Sequence, residues 1–305
     1  MKTALIAILL SAVASPLLAE SPETQSPKTQ SPETQSHKAS GDGEKYTLRY
    51  KFALGDTVRY RVDHRASVRS TIEGTTQSAV TKSDSIKAWK IIDVMPDGEM
   101  EFIHEVENVR MTNKLPDRAE MVYDSTKDEI PLPGFEDAAK AVGVPLSIIR
   151  MTPRGEVVER EIKHHQPAAD AEAPVTLLLP EERVAVGDTW NEPRTVPVTT
   201  QDGATRDIQC RRHYKLAKVA GGVASIEVSY QVLSPIDPSI ESQIVQSLMK
   251  GTAEFNIDQG RIVRQQMDVD ERILGFAGPA STMHYLMRMK EELIDDKPEV
   301  ALLPE

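Results

Sequence analysis

The chain contains one cysteine, few aromatic residues and fewer basic than acidic side chains, and each shortage excludes a class of protein. The single cysteine, Cys210, excludes a disulfide framework and any cysteine-based zinc or iron–sulfur site. Aromatic residues make up 5% of the 305 residues, so stacking platforms for bases or sugars would be sparse. With 36 basic and 47 acidic side chains, the net charge of −11 argues against a nucleic-acid partner.

Motifs that carry catalysis or metal binding are also missing from the sequence. The seven histidines form no His-x-x-x-His pair, and the adjacent His164 and His165 fit a solvated connector. There is no Gly-x-Ser-x-Gly elbow and no phosphate-binding glycine loop. Cys210 precedes Arg211 and Arg212, which would favour a reactive thiolate, but a small residue filling a strand position is the simpler explanation. We therefore expect no catalytic residues, no metal site and no cofactor.

The N-terminus carries an apolar run from Ala4 to Val13 after one basic residue, Lys2. A proline and the small residue Ala19 follow, and this three-part layout predicts a signal peptide over residues 1–19. The run is too short to span a bilayer, so no integral membrane segment is expected after cleavage. We predict export to the periplasm or the exterior of a bacterial envelope. A buried N-terminal helix is the alternative.

Residues 21–35 repeat a pentapeptide, Ser-Pro-(Glu or Lys)-Thr-Gln, three times. The repeat offers no apolar side chain to bury, and its prolines remove backbone donors, so we predict a disordered spacer over residues 20–44. Replication slippage with no selected role is the alternative origin. A loose tail is expected over residues 296–305.

From Tyr46 onward, apolar and polar residues alternate over many short stretches. The first two candidate strands each have one apolar face, formed by Tyr46, Leu48, Tyr50 and Phe52 and then by Val58, Tyr60 and Val62. A period of two predicts half-buried strands of an antiparallel sheet. The second strand also carries an alternating basic stripe of Arg59, Arg61, Arg65 and Arg69. We interpret this stripe as a solvent face, with contact to an anionic surface as the alternative.

Three segments of the chain recur in the same order. They are Leu54–Val58 with Val186–Trp190, Lys90–Val94 with Lys215–Val219, and Ile149–Val158 with Phe255–Val263. The shared order favours duplication over chance. It predicts a single α+β domain over residues 45–295, built of two halves at about 45–165 and 180–295. An Ala- and Pro-rich segment from Lys163 to Pro180 fits the connection between the halves.

Two short segments have helical spacing, and a third is ambiguous. Phe135–Val142 and Pro238–Lys250 each have apolar residues on one side, and the second has proline at its first turn and Gly251 after its end. Residues 280–294 fit both a strand and a helix. A strand is favoured because Gly275–Pro279 is typical of a hairpin turn after the long strand Arg261–Leu274.

Several turn motifs support a comparison with a known group of proteins. Beside the Gly-Asp-Thr strands, these motifs are Tyr123-Asp124-Ser125, Gly143-Val144-Pro145 and Thr152-Pro153-Arg154-Gly155-Glu156-Val157. The pattern resembles a family of secreted bacterial proteins of unknown function, and the resemblance covers most of residues 46–294. Such proteins look like the half-barrel fold of lipoprotein carriers, in which a curved antiparallel sheet wraps around helices. The resemblance implies an acyl chain held between sheet and helices.

Three hypotheses for the function remain open. In the first, an exported non-catalytic protein of the cell envelope binds a hydrophobic small molecule or lipid between its sheet and helices, with no nucleic-acid partner. The candidate ligand-binding residues are Phe135, Val142, Leu146, Ile240, Ile244 and Leu248. The second hypothesis is a structural or adhesion module of the cell envelope, and the third is a hydrolase with dispersed catalytic residues. The sequence leaves the oligomeric state open.

Overall fold

The computed structural model describes residues 43–164 and 175–294. The predicted signal peptide, most of the predicted spacer, the middle of the connector and the predicted tail lie outside these residues. The strands are β1 (Lys45–Tyr46), β2 (Thr57–Ile72), β3 (Thr75–Val94), β4 (Met100–Lys114), β5 (Met121–Asp124), β6 (Pro145–Met151), β7 (Val157–Ile162), β8 (Val184–Ala185), β9 (Thr189–Thr199), β10 (Thr205–Ala220), β11 (Val223–Val232), β12 (Lys250–Asn256), β13 (Arg261–Leu274) and β14 (Thr282–Ile294). The helices are α1 (Glu136–Ala141) and α2 (Pro238–Ile244), and a short 3-10 turn (Val245–Ser247) follows α2.

One large sheet holds all the strands except β1 and β8, which pair with each other. Its order is β7-β6-β4-β3-β2-β14-β13-β12-β11-β10-β9, with β5 attached to β4. The pairings are antiparallel, and the sheet curves without closing, so β7 and β9 are its two edges. The predicted α+β half-barrel with a curved antiparallel sheet is therefore confirmed.

The two halves of the chain place their strands in the same order. Strands β2, β3, β4, β6 and β7 neighbour one another in sequence order, as do β9 to β13, and β14 lies between the two groups. Each group has its helix between the third and fourth strands. The recurring Gly-Asp-Thr turns have one geometry: Ala53 N donates to Asp56 Oδ2 at 3.1 Å, and Ala185 N donates to Asp188 Oδ2 at 2.8 Å.

The largest core cluster joins the two halves. It combines Trp89 and Phe102 of the first half with Tyr214 and Phe255 of the second. The segment before each Gly-Asp-Thr turn also contributes to this cluster. Leu48 and Tyr50 come from the first segment, and Leu177 and Leu179 come from the second. The end of the predicted connector therefore belongs to the core, which its Ala- and Pro-rich composition did not indicate.

The predicted strand from Tyr46 to Phe52 is wrong beyond Tyr46, although burial alternates along it as expected. Backbone groups here bond to turns of both halves rather than to a strand: Tyr50 N donates to Pro153 O at 2.7 Å, and Lys51 N donates to Gly260 O at 2.9 Å. The close approach requires glycine at 260, because a Cβ there would lie 2.6 Å from Lys51 Cβ and its φ is +64°.

Removing the Tyr50 hydroxyl is expected to destabilise the protein by about 1–2 kcal/mol. This hydroxyl donates to Leu177 O at 3.0 Å and lies 2.6 Å from Thr176 Oγ1, so Tyr50→Phe deprives the Leu177 carbonyl and the Thr176 hydroxyl of this buried partner. Urea denaturation measures the loss. Tyr46→Phe is the matched control, because its hydroxyl bonds Glu44 at the surface. Equal losses in the two variants would contradict the prediction.

The helices differ in how well the pattern predicted them. The segment Phe135–Val142 is confirmed, since these two residues flank α1. Helix α2 begins as predicted, where Asp237 Oδ1 accepts from the backbone of Ser239 and Ile240. The predicted end at Lys250 is wrong, because that residue already starts β12. A Cβ on Gly251 would lie 1.9 Å from Gln266 O, so the chain here is tightly inserted between its neighbouring strands.

Both helices pack on the face of the sheet that carries the core. Phe135 of the first half contacts Val109, Met111 and Tyr123, which we call the α1 cluster. Ile240 and Ile244 contact Val198, Ile208 and Cys210, which we call the α2 cluster. A further cluster surrounds Val245 at the centre of the sheet. The predicted strands Arg261–Leu274 and 280–294 are confirmed as β13 and β14.

Candidate functional site

A row of polar side chains crosses the inward face of the sheet between the large core and the helix clusters. In the ladder between β2 and β3, Lys87 lies opposite Tyr60, and Trp89 lies opposite Val58, so Lys87 shares the face of the core. Alternation and register place the other polar residues on the same face. We call these residues the inward belt: His64, Thr81, Ser83, Ser85, Lys87, Glu192, Arg194, Arg212, Gln265 and Glu291.

The first-half end of the belt is a buried ion pair. Lys87 Nζ lies 2.6 Å from Glu291 Oε1, and the two side chains are 16% and 8% exposed. Gln265 Nε2 donates to the other carboxylate oxygen of Glu291 at 2.9 Å. The ammonium lies 5.1 Å from the ring centroids of both Tyr60 and Trp89, which is within cation–π range. The Glu291 carboxylate and the two ring faces together offset the free-energy cost of removing the Lys87 ammonium from water.

The second-half end of the belt places two guanidinium groups beside one carboxylate. Arg212 Nη1 lies 3.8 Å from Glu192 Oε2, and Arg194 Nη1 lies 3.7 Å from Glu192 Oε1. The Tyr214 hydroxyl donates to Glu192 Oε2 at 2.5 Å. Burial raises the pKa of Tyr214, which keeps the hydroxyl protonated as a donor. The Glu192 carboxylate is therefore held between two guanidinium groups and one phenol donor.

The belt residues Lys87 and Arg212 hold corresponding positions in the two halves. Each precedes by three residues the lysine of the recurring segment, Lys90 in one half and Lys215 in the other. Our sequence reasoning missed both as inward residues. The signal was present in their spacing, because Lys87 has the same parity as Trp89 and Ile91, and Arg212 has that of Tyr214 and Leu216.

Histidines near the belt are held neutral. His104 lies opposite Trp89 in the ladder between β3 and β4. Burial, followed by the charges of Lys87 and Arg160, lowers the pKa of His104 to about 3. Burial also lowers the pKa of His64. The charge of the belt at neutral pH therefore comes from its lysine, arginine and glutamate side chains.

Apolar side chains beside the belt keep access to solvent although they face inward. Met249 and Met289 each contact both the large core cluster and the cluster around Val245, yet both are only half-buried. Val62, which lies opposite Glu291, and Leu248, beside the α2 cluster, are half-buried as well. The inward face therefore presents accessible apolar surface next to charged groups.

The six predicted ligand-binding residues do not form one group. Phe135 and Val142 belong to the α1 cluster, and Ile240, Ile244 and Leu248 belong to the α2 cluster. Leu146 is 4% exposed on β6, outside both. Phe135, Ile240 and Ile244 are 1% exposed, whereas Val142 and Leu248 are half-buried. Ligand contact by these residues stays a prediction, and the exposure favours Leu248 and Val142.

The ionisable groups that a hydrolase could use lie on the outer face of the sheet or are buried. Asp63 and Asp84 lie opposite each other in the ladder between β2 and β3, on the outer face. A hydrogen bond from Arg65 lowers the pKa of Asp63, whereas burial raises the pKa of Asp84. Cys210 is 2% exposed within the α2 cluster, and burial raises the pKa of its thiol. Within residues 43–164 and 175–294, no group of three potential metal ligands occurs.

The outer face has an open depression of about 290 Å³, lined by Ile103, Val144, Pro145, Ile148, Lys163 and His164. Its lining lies on the opposite side of β4 and β6 from the core. Among the helices of the described residues, none is long and apolar enough to cross a membrane.

Comparisons with known proteins show weak similarity. The chain matches no family model and no curated protein. Lipovitellin, in a structure of its lipid–protein interactions, matches with a TM-score of 0.43 and 12% identity over 80% of this chain, and the chain spans only 26% of the lipovitellin chain. A DUF1329 family protein from Desulfovibrio piger matches with a TM-score of 0.15 and 10% identity over 79% of this chain and 86% of its own. The Salmonella injectisome secretin InvG matches with a TM-score of 0.18 and 11% identity over 80% and 62%.

Proposed function

We propose that this protein is an exported, non-catalytic carrier that binds a hydrophobic or lipid ligand between its curved sheet and its helices. The observation that carries the proposal is the accessible apolar surface on the inward face. Met249, Met289, Val62 and Leu248 face the interior, and yet each remains half-buried rather than closed off. Burial of such surface by an apolar chain is favourable at about 25 cal/mol per Å².

A binding role is favoured over catalysis by the way the interior charges are arranged. Each inward carboxylate of the belt is engaged by a base: Glu291 by Lys87 and Glu192 by Arg212. A general acid or base needs a carboxyl group that can exchange its proton with a substrate. The carboxylates with opposed pKa shifts, Asp63 and Asp84, lie on the exposed outer face of the sheet.

Export is supported by the N-terminal sequence alone. Lys2, the apolar run and Ala19 form the layout of a secretory signal peptide. The spacer that follows would lie between the cleavage site and the folded domain. An exported protein of this kind would meet lipids of the cell envelope as its available ligands.

The proposal is tested by placing a polar group in the accessible apolar surface of the inward face. We expect Met289→Gln to weaken the binding of a fluorescent acyl-chain probe by about ten-fold, because an unpaired amide costs roughly 1–3 kcal/mol when an apolar ligand covers it. Probe titration on the purified mature protein measures the effect.

Leu286→Gln is the matched control for this test. It lies on the same strand as Met289 but faces outward, and it is 39% exposed. Its binding should match that of the unaltered protein. If the unaltered protein binds no acyl probe, the carrier proposal fails, and a structural or adhesion module of the envelope becomes the better interpretation.

A further inference from the structure

We propose that the outer face of β3, β2 and β14 binds the surface of an anionic lipid bilayer. The proposed contact lies on the side of the sheet opposite the inward belt and does not depend on the carrier function. Register places Arg61, Arg65 and Arg69 of the basic stripe on this outer face, because Ala66 and Val68 between them are buried in the interior. We call the outward residues of the three strands, from the row of Arg61 to the row of Arg69, the basic face.

The basic face has a net positive charge. Its six bases are Arg61, Arg65, Arg69, Lys82, Arg288 and Lys290, and its three acids are Asp63, Asp84 and Glu292. The remaining titratable group, His284, bonds Asp270 of β13 and is counted as neutral. The face is therefore positive by three charges, whereas the whole chain has a net charge of −11.

The strands on either side do not balance this charge. The outward residues of β13 in the same rows include two bases and two acids, which are Arg264, Arg272, Asp268 and Asp270. On β4 the same rows hold Arg110 and Lys114, and Asp124 of β5 lies opposite Arg110. One flank is therefore neutral, and the other adds a positive charge.

Several bases of the basic face are available to an external partner. Arg65 and Arg288 each bond an aspartate of the sheet, Asp63 and Asp268 respectively. The bases that are exposed and form no ion pair with any described residue are Arg61, Arg69, Lys82 and Lys290. Their charges are therefore free to contact an anionic surface.

The stability of the sheet does not explain why the bases lie together. Arg65 lies directly opposite Lys82 on β3 and directly opposite Arg288 on β14, so three bases share one row. Like charges in directly opposite positions destabilise a sheet. Contact with a negative surface would replace this repulsion by attraction, whereas salt only screens it.

An apolar side chain within the basic face favours a bilayer over a soluble acidic partner. Leu286 is 39% exposed and lies in the row between those of Arg65 and Arg69. A bilayer accepts both kinds of side chain, because the apolar group enters the interface while the bases contact anionic head groups. Arg61 and Arg69 are about 26 Å apart along β2, so the face spans several head groups.

Vesicle sedimentation tests the proposal with the purified mature protein. One set of vesicles contains phosphatidylcholine alone, and the other also contains phosphatidylglycerol. Each base near an anionic bilayer strengthens binding by about five-fold, so binding to the anionic vesicles should be at least about ten-fold tighter. Added salt should weaken it, because salt screens exposed charges.

Variants of the free bases assign the binding to the basic face. Lys82→Gln and Arg69→Gln should each weaken binding to the anionic vesicles about five-fold, and a triple variant that also carries Lys290→Gln should weaken it about a hundred-fold. Glu292→Gln removes an exposed acid opposite Arg61 and should strengthen binding several-fold, a gain that misfolding cannot produce.

Lys218→Gln is the matched control. Lys218 is exposed on β10, four strands away from β14, and it forms no ion pair with any described residue. Its replacement changes the net charge as Lys82→Gln does, but binding to the anionic vesicles should be unchanged. Thermal melting of every variant shows that the fold is retained.

The outcomes separate the basic face from the carrier function. Equal binding to the two kinds of vesicle, or binding to neither, overturns the proposed bilayer contact. Binding that survives the triple variant overturns its assignment to these bases. Dextran sulfate that binds the protein as tightly as the anionic vesicles would identify a site for polyanions in general and would overturn the lipid assignment. Acyl-probe titration concerns the inward face, so its result decides only the carrier function.

Discussion

Replacing Lys87 with methionine is expected to lower the free energy of unfolding by about 3–5 kcal/mol. The substitution keeps most of the side-chain volume but removes the only ion-pair partner found for Glu291 among the described residues. The carboxylate would stay 8% exposed, with a hydrogen bond from Gln265 as its remaining support. A buried charge without a counter-charge is strongly destabilising, because water solvates it far better than the protein does. Chemical denaturation of the purified variant measures the loss.

The double variant Lys87→Met with Glu291→Leu tests the cause of this loss. Removing both charges should restore stability to within about 1 kcal/mol of the unaltered protein, since buried ion pairs add little over apolar side chains of similar size. Arg288→Met is the control for an exposed pair: its partner Asp268 is 30% exposed, and a loss of about 1 kcal/mol or less is expected. A double variant as unstable as Lys87→Met would contradict the explanation by unpaired charge.

The sheet could be predicted from the sequence because its strands alternate with a period of two. The long strand from Arg261 to Leu274 and the C-terminal strand were both identified. Local patterns encode such elements directly, since each residue's face follows from its parity. Helix α1 was also found, because its apolar spacing agrees with its packing against Tyr123.

Features that depend on distant parts of the chain could not be predicted in the same way. Residues 47–52 alternate like a strand, but their backbone bonds go to turns near Pro153 and Gly260, far away in sequence. Helix α2 ends before Lys250 because β12 pairs with β11 and β13. Long-range pairing decided both, and tertiary contacts of this kind override local spacing.

The inward belt could have been predicted in part. The parity of Lys87 with Trp89 and of Arg212 with Tyr214 places both bases on the core face. Their partners could not be deduced, since Glu291 comes from β14 at the far end of the chain and the pairing of β14 with β2 sets its position. Burial of Glu105, which is 6% exposed, could not be predicted from its own strand either. Lys90 lies 2.5 Å from this carboxylate.

Lowering the pH from 7 to 5 is expected to cost about 2 kcal/mol of stability through His104 alone. Its pKa is about 3 in the folded protein, mainly because of burial, against about 6.5 in an unfolded chain. Between these values the unfolded chain binds a proton that the folded protein does not. The free energy of unfolding therefore falls as the pH falls below about 6.5, and it continues to fall until about pH 3. Burial lowers the pKa values of His64 and His213 too, so they act in the same direction.

The variant His104→Gln should flatten this dependence, because it removes the group whose protonation is suppressed by folding. Urea denaturation at pH 7, 6 and 5 measures the slope for each protein. The same replacement at His284, whose ring bonds Asp270 on the outer face, is the control and should keep the steeper slope. The window above pH 5 limits the contribution of carboxyl groups, whose ordinary pKa values lie near 4. An unaltered slope in His104→Gln would show that folding does not suppress the protonation of this ring, and would contradict the prediction.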